Sequence, residues 1–225
     1  MNALNTKGTL ENTIQPAPRE LITQSIESTL SEALNKIGFT FSRKQLTFKR
    51  KTSHFTQTIS FQLNRHNETG ISAEFWTVFS ITSKEYANWH KTTFGNNPPN
   101  DHLFITMDWN IANWKFPMTG NHQHSHFEII EEAHRENVLA ILKSNILELG
   151  IPFLDHLSNW ENAARNLLTK NTGHHKASDF FQLAGNKEES LSALKQGLSY
   201  WKQHPNASSP DDLEEIHKRL KNPSI

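Results

Sequence analysis

Phe55-Thr56-Gln57-Thr58-Ile59-Ser60-Phe61-Gln62-Leu63 is the stretch on which the fold turns. Phe55, Ile59, Phe61 and Leu63 take the odd positions, and Thr56, Thr58, Ser60 and Gln62 take the even ones. Side chains alternate sides along a strand, so this pattern demands one buried face and one wet face. An antiparallel sheet covered on one side provides both.

Working outward, Asn67 to Gly70 supplies a turn, and Ile71, Ala73, Phe75, Phe79 and Ile81 resume the alternation. Trp76 and Val78 make the second face of that strand less polar. Upstream, Phe39 with Phe41 and Leu46 with Phe48 alternate around the polar corner 42–45. Downstream, the polar excursion 83–100 reads as a loop, after which Leu103, Ile105, Met107, Trp109 and Ile111 share parity and predict an inward-facing row. Trp114, Phe116 and Met118 predict a short strand, and Phe127 with Ile129 a last one.

Helical spacing brackets these strands. Ile22, Ile26, Leu30, Leu34 and Ile37 recur at steps of three and four, and Gly38 stops the helix. Val138, Ile141, Leu142, Ile146 and Leu149 predict a helix over 130–149, closed by Gly150 and Pro152. Ser158 and Glu161 form a capping-box signature, residues 171–176 read as a linker, and two helices follow. Helix, strands, then helices predicts an α+β fold. It would be an antiparallel sheet of five or six strands with helices packed on one face, plus a C-terminal helical appendage. The expected division is a flexible arm over 1–18, a main domain over 19–170 and a docked helical hairpin over 176–225.

The chain has 225 residues, equal numbers of acidic and basic side chains, and no cysteine. Zero net charge removes the general field that draws phosphate backbones, which argues against nucleic acid as the main partner. Absence of cysteine excludes disulfides, thiolate metal sites and thiol nucleophiles. The polar start lacks the apolar run of a targeting segment, and no window approaches the roughly 20 apolar residues of a membrane span. A cytoplasmic protein is expected.

At Leu34, Ile37-Gly38-Phe39, Phe48, Phe55, Ile59-Ser60-Phe61-Gln62 and Phe75 to Ile81 the chain resembles a known group of proteins. It is similar, over about residues 21–170, to the bacterial family catalogued as domain of unknown function 4304. The resemblance implies an α+β domain and brings no catalytic residue with it. By analogy of genre, it suits the small bacterial proteins that serve as toxin-neutralising immunity partners. The segment from Phe180 to Glu189 resembles the turn between paired helices of a tetratricopeptide repeat, present as a single unit.

Few features carry chemistry. His122, His124 and His126 alternate with Gln123 and Ser125, so an extended chain would project all three imidazoles from one face, with Glu128 beside them. Neutral imidazoles are zinc ligands. On a straight strand, however, the first and third would lie about 13 Å apart, so one ion takes the third only if the strand bends. His134, on the next helix, could approach the cluster. Arg43, Lys44, Lys49 and Lys51, with Arg50, form a basic hairpin suited to a protected sheet edge, an acidic protein surface or nucleic acid. Among six tryptophans, Trp76 and Trp89 are the candidate interface anchors, while Trp109 reads as core. Phosphate-cradling loops, nucleophile elbows and HExxH are missing.

The leading expectation is a non-enzymatic, cytoplasmic protein-binding module, an immunity-type neutraliser of a bacterial toxin, needing no cofactor. Its contacts would come from Arg43, Lys44, Lys49, Lys51, Trp76 and Trp89. A metal-dependent hydrolase using zinc at His122, His124 and His126 is the first alternative. An RNA-associated protein using the basic hairpin is the second.

Overall fold

The computed structural model describes residues 15–98, 102–119, 122–204 and 210–221. Most of the expected N-terminal arm, 1–14, lies outside the described residues. Pro18 occupies the first turn of helix α1 (Pro18–Lys36), where its missing N–H costs nothing. At the other end Gly38 takes a φ of +89°, which lets the Phe39 N–H reach back to the Leu34 carbonyl at 3.0 Å and turns the chain into the sheet.

Strands β1 (Thr40–Ser42), β2 (Thr47–Lys51), β3 (Thr56–Leu63), β4 (Glu74–Thr82) and β5 (His102–Met107) pair antiparallel in chain order. Strand β8 (Phe127–Glu128) completes a six-stranded sheet by pairing with β4. Two further short strands, β6 (Met118–Thr119) and β7 (His122–Gln123), form a separate ladder in the connection.

The decisive alternation is realised: Phe55, Ile59 and Phe61 are buried, while Thr58, Ser60 and Gln62 are not. A row of phenylalanine rings crosses the covered face. It passes from Phe41 to Phe48 at 4.5 Å, to Phe61 at 6.3 Å, to Phe75 at 6.0 Å and to Phe127 at 5.7 Å. Helix α1 lays Ile22, Ile26, Leu30 and Leu34 in the same core, all fully buried. Each such side chain contributes about 1.5–3 kcal/mol by leaving water.

One parity expectation is overturned. Val78 pairs with Met107 and Ser80 with Ile105, so Ile105 and Met107 point away from the core, and Ile105 is 60% exposed. A register shift between Ile81 and Thr82 restores Leu103 to the interior. Phe104, Thr106 and Asp108 face inward instead, and Trp109, expected in the core, is 52% exposed. The reason lies in the β4 edge, which β8 occupies at Glu74–Phe75 and β5 at Val78–Thr82. Thr77 falls in the gap, and the Asp108 carboxylate accepts its orphan N–H at 2.7 Å. A buried unpaired N–H costs about 1–3 kcal/mol, comparable to what burying an apolar side chain gains, so the bond to Asp108 offsets the exposure of Trp109.

The 83–100 excursion also differs, because Lys84–Phe94 forms helix α2 with the Ser83 hydroxyl accepting the Tyr86 N–H at 3.2 Å. Likewise the helix beginning as α3 (Glu132–Asn145) does not close at Gly150. It passes through a π-turn over Ile146–Gly150 into α4 (Ile151–Leu157). The wide turn accommodates Pro152, which has no N–H to give an ordinary ladder. Contrary to the expectation that no window approaches a membrane span, this stretch, 132–157, is among the described residues long and apolar enough to cross one by length and composition. It carries Leu142, Ile146, Leu154 and Leu157 buried in the core.

Four helices follow: α5 (Trp160–Thr169), α6 (His174–Leu183), α7 (Lys187–Gln203) and α8 (Pro210–Leu220). Asn159, rather than Ser158, caps α5, and the expected linker residues 174–176 are already helical. Trp160 and Phe180 continue the main core through Phe55 and Tyr86. Helix α8 is held by polar clasps. Arg219 donates to both Asp179 oxygens at 2.6 Å, with both side chains fully buried. Asp212 accepts from His174, His175 and Trp201. Burial works to raise the Asp212 carboxyl, but its three donors outweigh burial and hold it well below the usual range.

Two measurements follow from this packing. A Cβ on Gly150 would lie 2.6 Å from the Phe79 ring. Gly150→Ala should therefore lose about 1–3 kcal/mol in urea unfolding, although an ordinary helical site would gain about 1 kcal/mol from alanine. The Asp212 contribution is present above the unfolded carboxylate value and lost as pH falls below about 3.9. Trp201 fluorescence in wild type should thus report loosening of α8 under acid that is already present in Asp212→Asn at neutral pH.

Candidate functional site: the open sheet face and its histidine corner

Among the described residues the second face of the sheet is left open, with Thr40, Lys49, Gln62 and Ile105 exposed. Cross-strand register places Thr40, Lys49, Thr58, Ser80 and Ile105 in one row. Ser42, Thr47, Ser60, Val78 and Met107 form the next, and Gln62 with Trp76 begins a third. The centre is therefore short hydroxylated side chains, with Thr47 and Ser80 buried among their neighbours and Thr58 and Ser60 half-buried. One side is apolar through Trp76, Val78, Met107 and Ile105. The opposite side is basic through Lys49 and Lys51, both exposed.

The basic hairpin is divided by the fold. Arg43 pairs with Glu20 and Glu27 of α1, and Arg50 lies over the Phe39 ring and pairs with Asp155. These two arginines fasten helices to the sheet, which explains their presence without a ligand. Lys44 is exposed at the corner, its carbonyl accepting from Arg19 at 2.8 Å. Trp89 is not on the open face. It sits on α2, half-buried and stacked on Tyr86 at 6.3 Å and against Phe94 at 5.8 Å. Trp76 lies near the start of β4 and α2 begins after its end, a separation of about 20 Å of extended chain. The two tryptophans do not make one surface.

Trp76 instead marks a corner. Its indole N–H donates to the Ser125 carbonyl at 3.0 Å, and its ring meets the His126 ring at 6.1 Å. Residues 125–126 form a bend between β7 and β8, the condition under which neighbouring imidazoles can converge. His124 and His126 rings come to 5.4 Å, and one ligand atom each from His124, His126 and Glu128 lie within 4.8 Å of one another. Of the expected trio, His122 has its backbone in β7, while its side chain lies outside the described residues. Glu128 thus stands as the third member of the observed cluster.

Two residues join the corner that sequence patterning did not single out for it. Glu74 is the direct cross-strand partner of Glu128, and its carboxylate lies 3.7 Å from His126 Nε2. Glu131, at the N-cap of α3, lines a cavity of about 190 Å³ together with His124, Glu128 and His134. His134 and Glu131 contact each other at 2.6 Å across one turn. No local signal could have found Glu74, because its placement depends on the pairing of strands about fifty residues apart.

A family model described as Domain of unknown function (DUF4304) matches residues 30–156, which is more than half of the chain. That span runs from the middle of α1 to the last turn of α4, and so includes the whole sheet and the histidine corner. Comparison with curated proteins and with solved structures gave no match.

Glu74 and Glu128 are like charges placed directly opposite, and such pairs destabilise a sheet. Glu128→Gln should therefore raise the stability of metal-stripped protein by about 0.2–1 kcal/mol, read as a higher Tm in excess EDTA.

Proposed function

The chain belongs to the DUF4304 family, and we propose that it is a non-enzymatic protein-binding module of the immunity type, whose partner is a bacterial toxin. The single observation that carries this reading is the open sheet face, apolar at one side and basic at the other, with a hydroxyl-rich centre between them. Trp76, Val78, Met107 and Ile105 offer aromatic and aliphatic area of the kind that dominates interface energy. Lys49 and Lys51 stand across the pleat, where they would steer a partner of opposite charge.

The complementary partner is a folded protein with an apolar patch bordered by carboxylates. A toxin whose contact surface is basic, as one that grips phosphate backbones would be, does not fit the lysine side of this face; the partner's contact surface is acidic. Neutralisation would be by occlusion, so no catalytic group is required of the chain. Arg43 and Arg50, being ion-paired within the fold, serve the scaffold in this reading, and Trp89 stays with the packing of α2.

Co-expression with the products of the genes adjoining its own provides the test. The wild-type chain should restore growth to cells poisoned by one of them and co-purify with it. Trp76→Ala combined with Lys49→Glu should weaken that complex by about 100-fold or more, while Trp89→Phe leaves it within about threefold. A complex indifferent to the open-face changes, or adjoining products that neither poison cells nor bind, would overturn the reading.

A further inference from the structure

We propose that His124, His126 and Glu128 bind one divalent ion of the zinc class, and that the bound ion fixes Trp76 at the edge of the open face. Two imidazoles and one carboxylate are a zinc ligand set that leaves a fourth position for water. Such a set disfavours magnesium and calcium, which take oxygen ligands almost exclusively. Ligand atoms already gathered within 4.8 Å need close only to the edges of a tetrahedral site, about 3.4 Å. The three side chains are half-buried, so small rotations about their own bonds bring this about without moving the strand.

A second observation points the same way. Glu74 and Glu128 oppose each other across the ladder, and among the described residues neither has a lysine or arginine ion-pair partner. A cation seated between the imidazoles and Glu128 turns that repulsion into attraction. Glu74 then lies 3.7 Å from His126 and accepts from the Asn64 amide, the position from which a carboxylate orients a ligating imidazole.

The consequence for recognition comes through Ser125, which stands between two of the ligands. Its carbonyl holds the Trp76 indole, and the His126 ring lies against the same indole. Pinning 124 and 126 to one ion stiffens that bend, and with it the largest apolar side chain on the open face. The site does not depend on any protein partner, since zinc alone is the probe.

The experiment uses the full chain purified without an affinity tag, stripped with EDTA and dialysed. Zinc chloride is titrated in by calorimetry while tryptophan emission is followed. One equivalent should bind with a Kd on the order of 1 μM or tighter, and magnesium should not compete. His124→Ala, His126→Ala and Glu128→Gln should each weaken zinc by about tenfold or more. His204→Ala, remote from the corner, should leave it unchanged. The zinc-dependent change in emission should vanish in Trp76→Phe, with stoichiometric binding retained. Far-ultraviolet circular dichroism in EDTA establishes that each variant is folded. Zinc binding that survives all three ligand changes would reduce the ion to adventitious capture by surface histidines and overturn the proposal. An emission change that persists without Trp76 would overturn the link to the open face.

Discussion

The row of phenylalanine rings from Phe41 through Phe48, Phe61 and Phe75 to Phe127 is the contact on which the rest depends. Each ring stands on a different strand, so the row only exists when all five are in register. A slip of one residue anywhere would turn a ring to water and a threonine or lysine to the core. The same constraint decides the opposite face. Once the rings point inward, Lys49, Thr58, Ser60, Gln62 and Trp76 have no choice but to point outward.

Strand β4 carries a second constraint, because two strands share one of its edges. With β8 on the first residues and β5 on the later ones, Thr77 is left between them and Asp108 must turn in to serve it. That one hydrogen bond turns Trp109 outward and sets the parity of β5, placing Met107 and Ile105 beside Trp76 and Val78. It also leaves room at the start of β4 for the bend at 125–126. The apolar margin of the open face and the histidine corner therefore follow from the same division of an edge.

The C-terminal helices are joined to this scaffold by a different kind of force. Trp160 and Phe180 extend the apolar core, but α8 is held through Arg219 on Asp179 and through Asp212 on His174, His175 and Trp201. Buried ion pairs fix geometry more than they add stability, since desolvation offsets most of their attraction. Gly197 shows how close the approach is, because a Cβ there would lie 2.6 Å from Ile216 and 2.7 Å from His174.

Alternation in 55–63 and the spacing of Ile22, Ile26, Leu30 and Leu34 were enough to establish a sheet covered on one face by helices. Such periodicity is a local property, since it records which side of a strand or helix meets water. The resemblance at Ile37-Gly38-Phe39 and Ile59-Ser60-Phe61-Gln62 was legible for the same reason. The orientation of Trp109, the helix over 84–94, the division of the basic hairpin between scaffold and surface, and the meeting of Glu74 with Glu128 were not. Each depends on which distant strand or helix lies alongside, and hydrogen bonds and charges across such a gap leave no imprint on neighbouring letters. The histidines stand between the two cases: their alternation was plain in the chain, but only a bend closed by tertiary pairing brings His124, His126 and Glu128 to a common point.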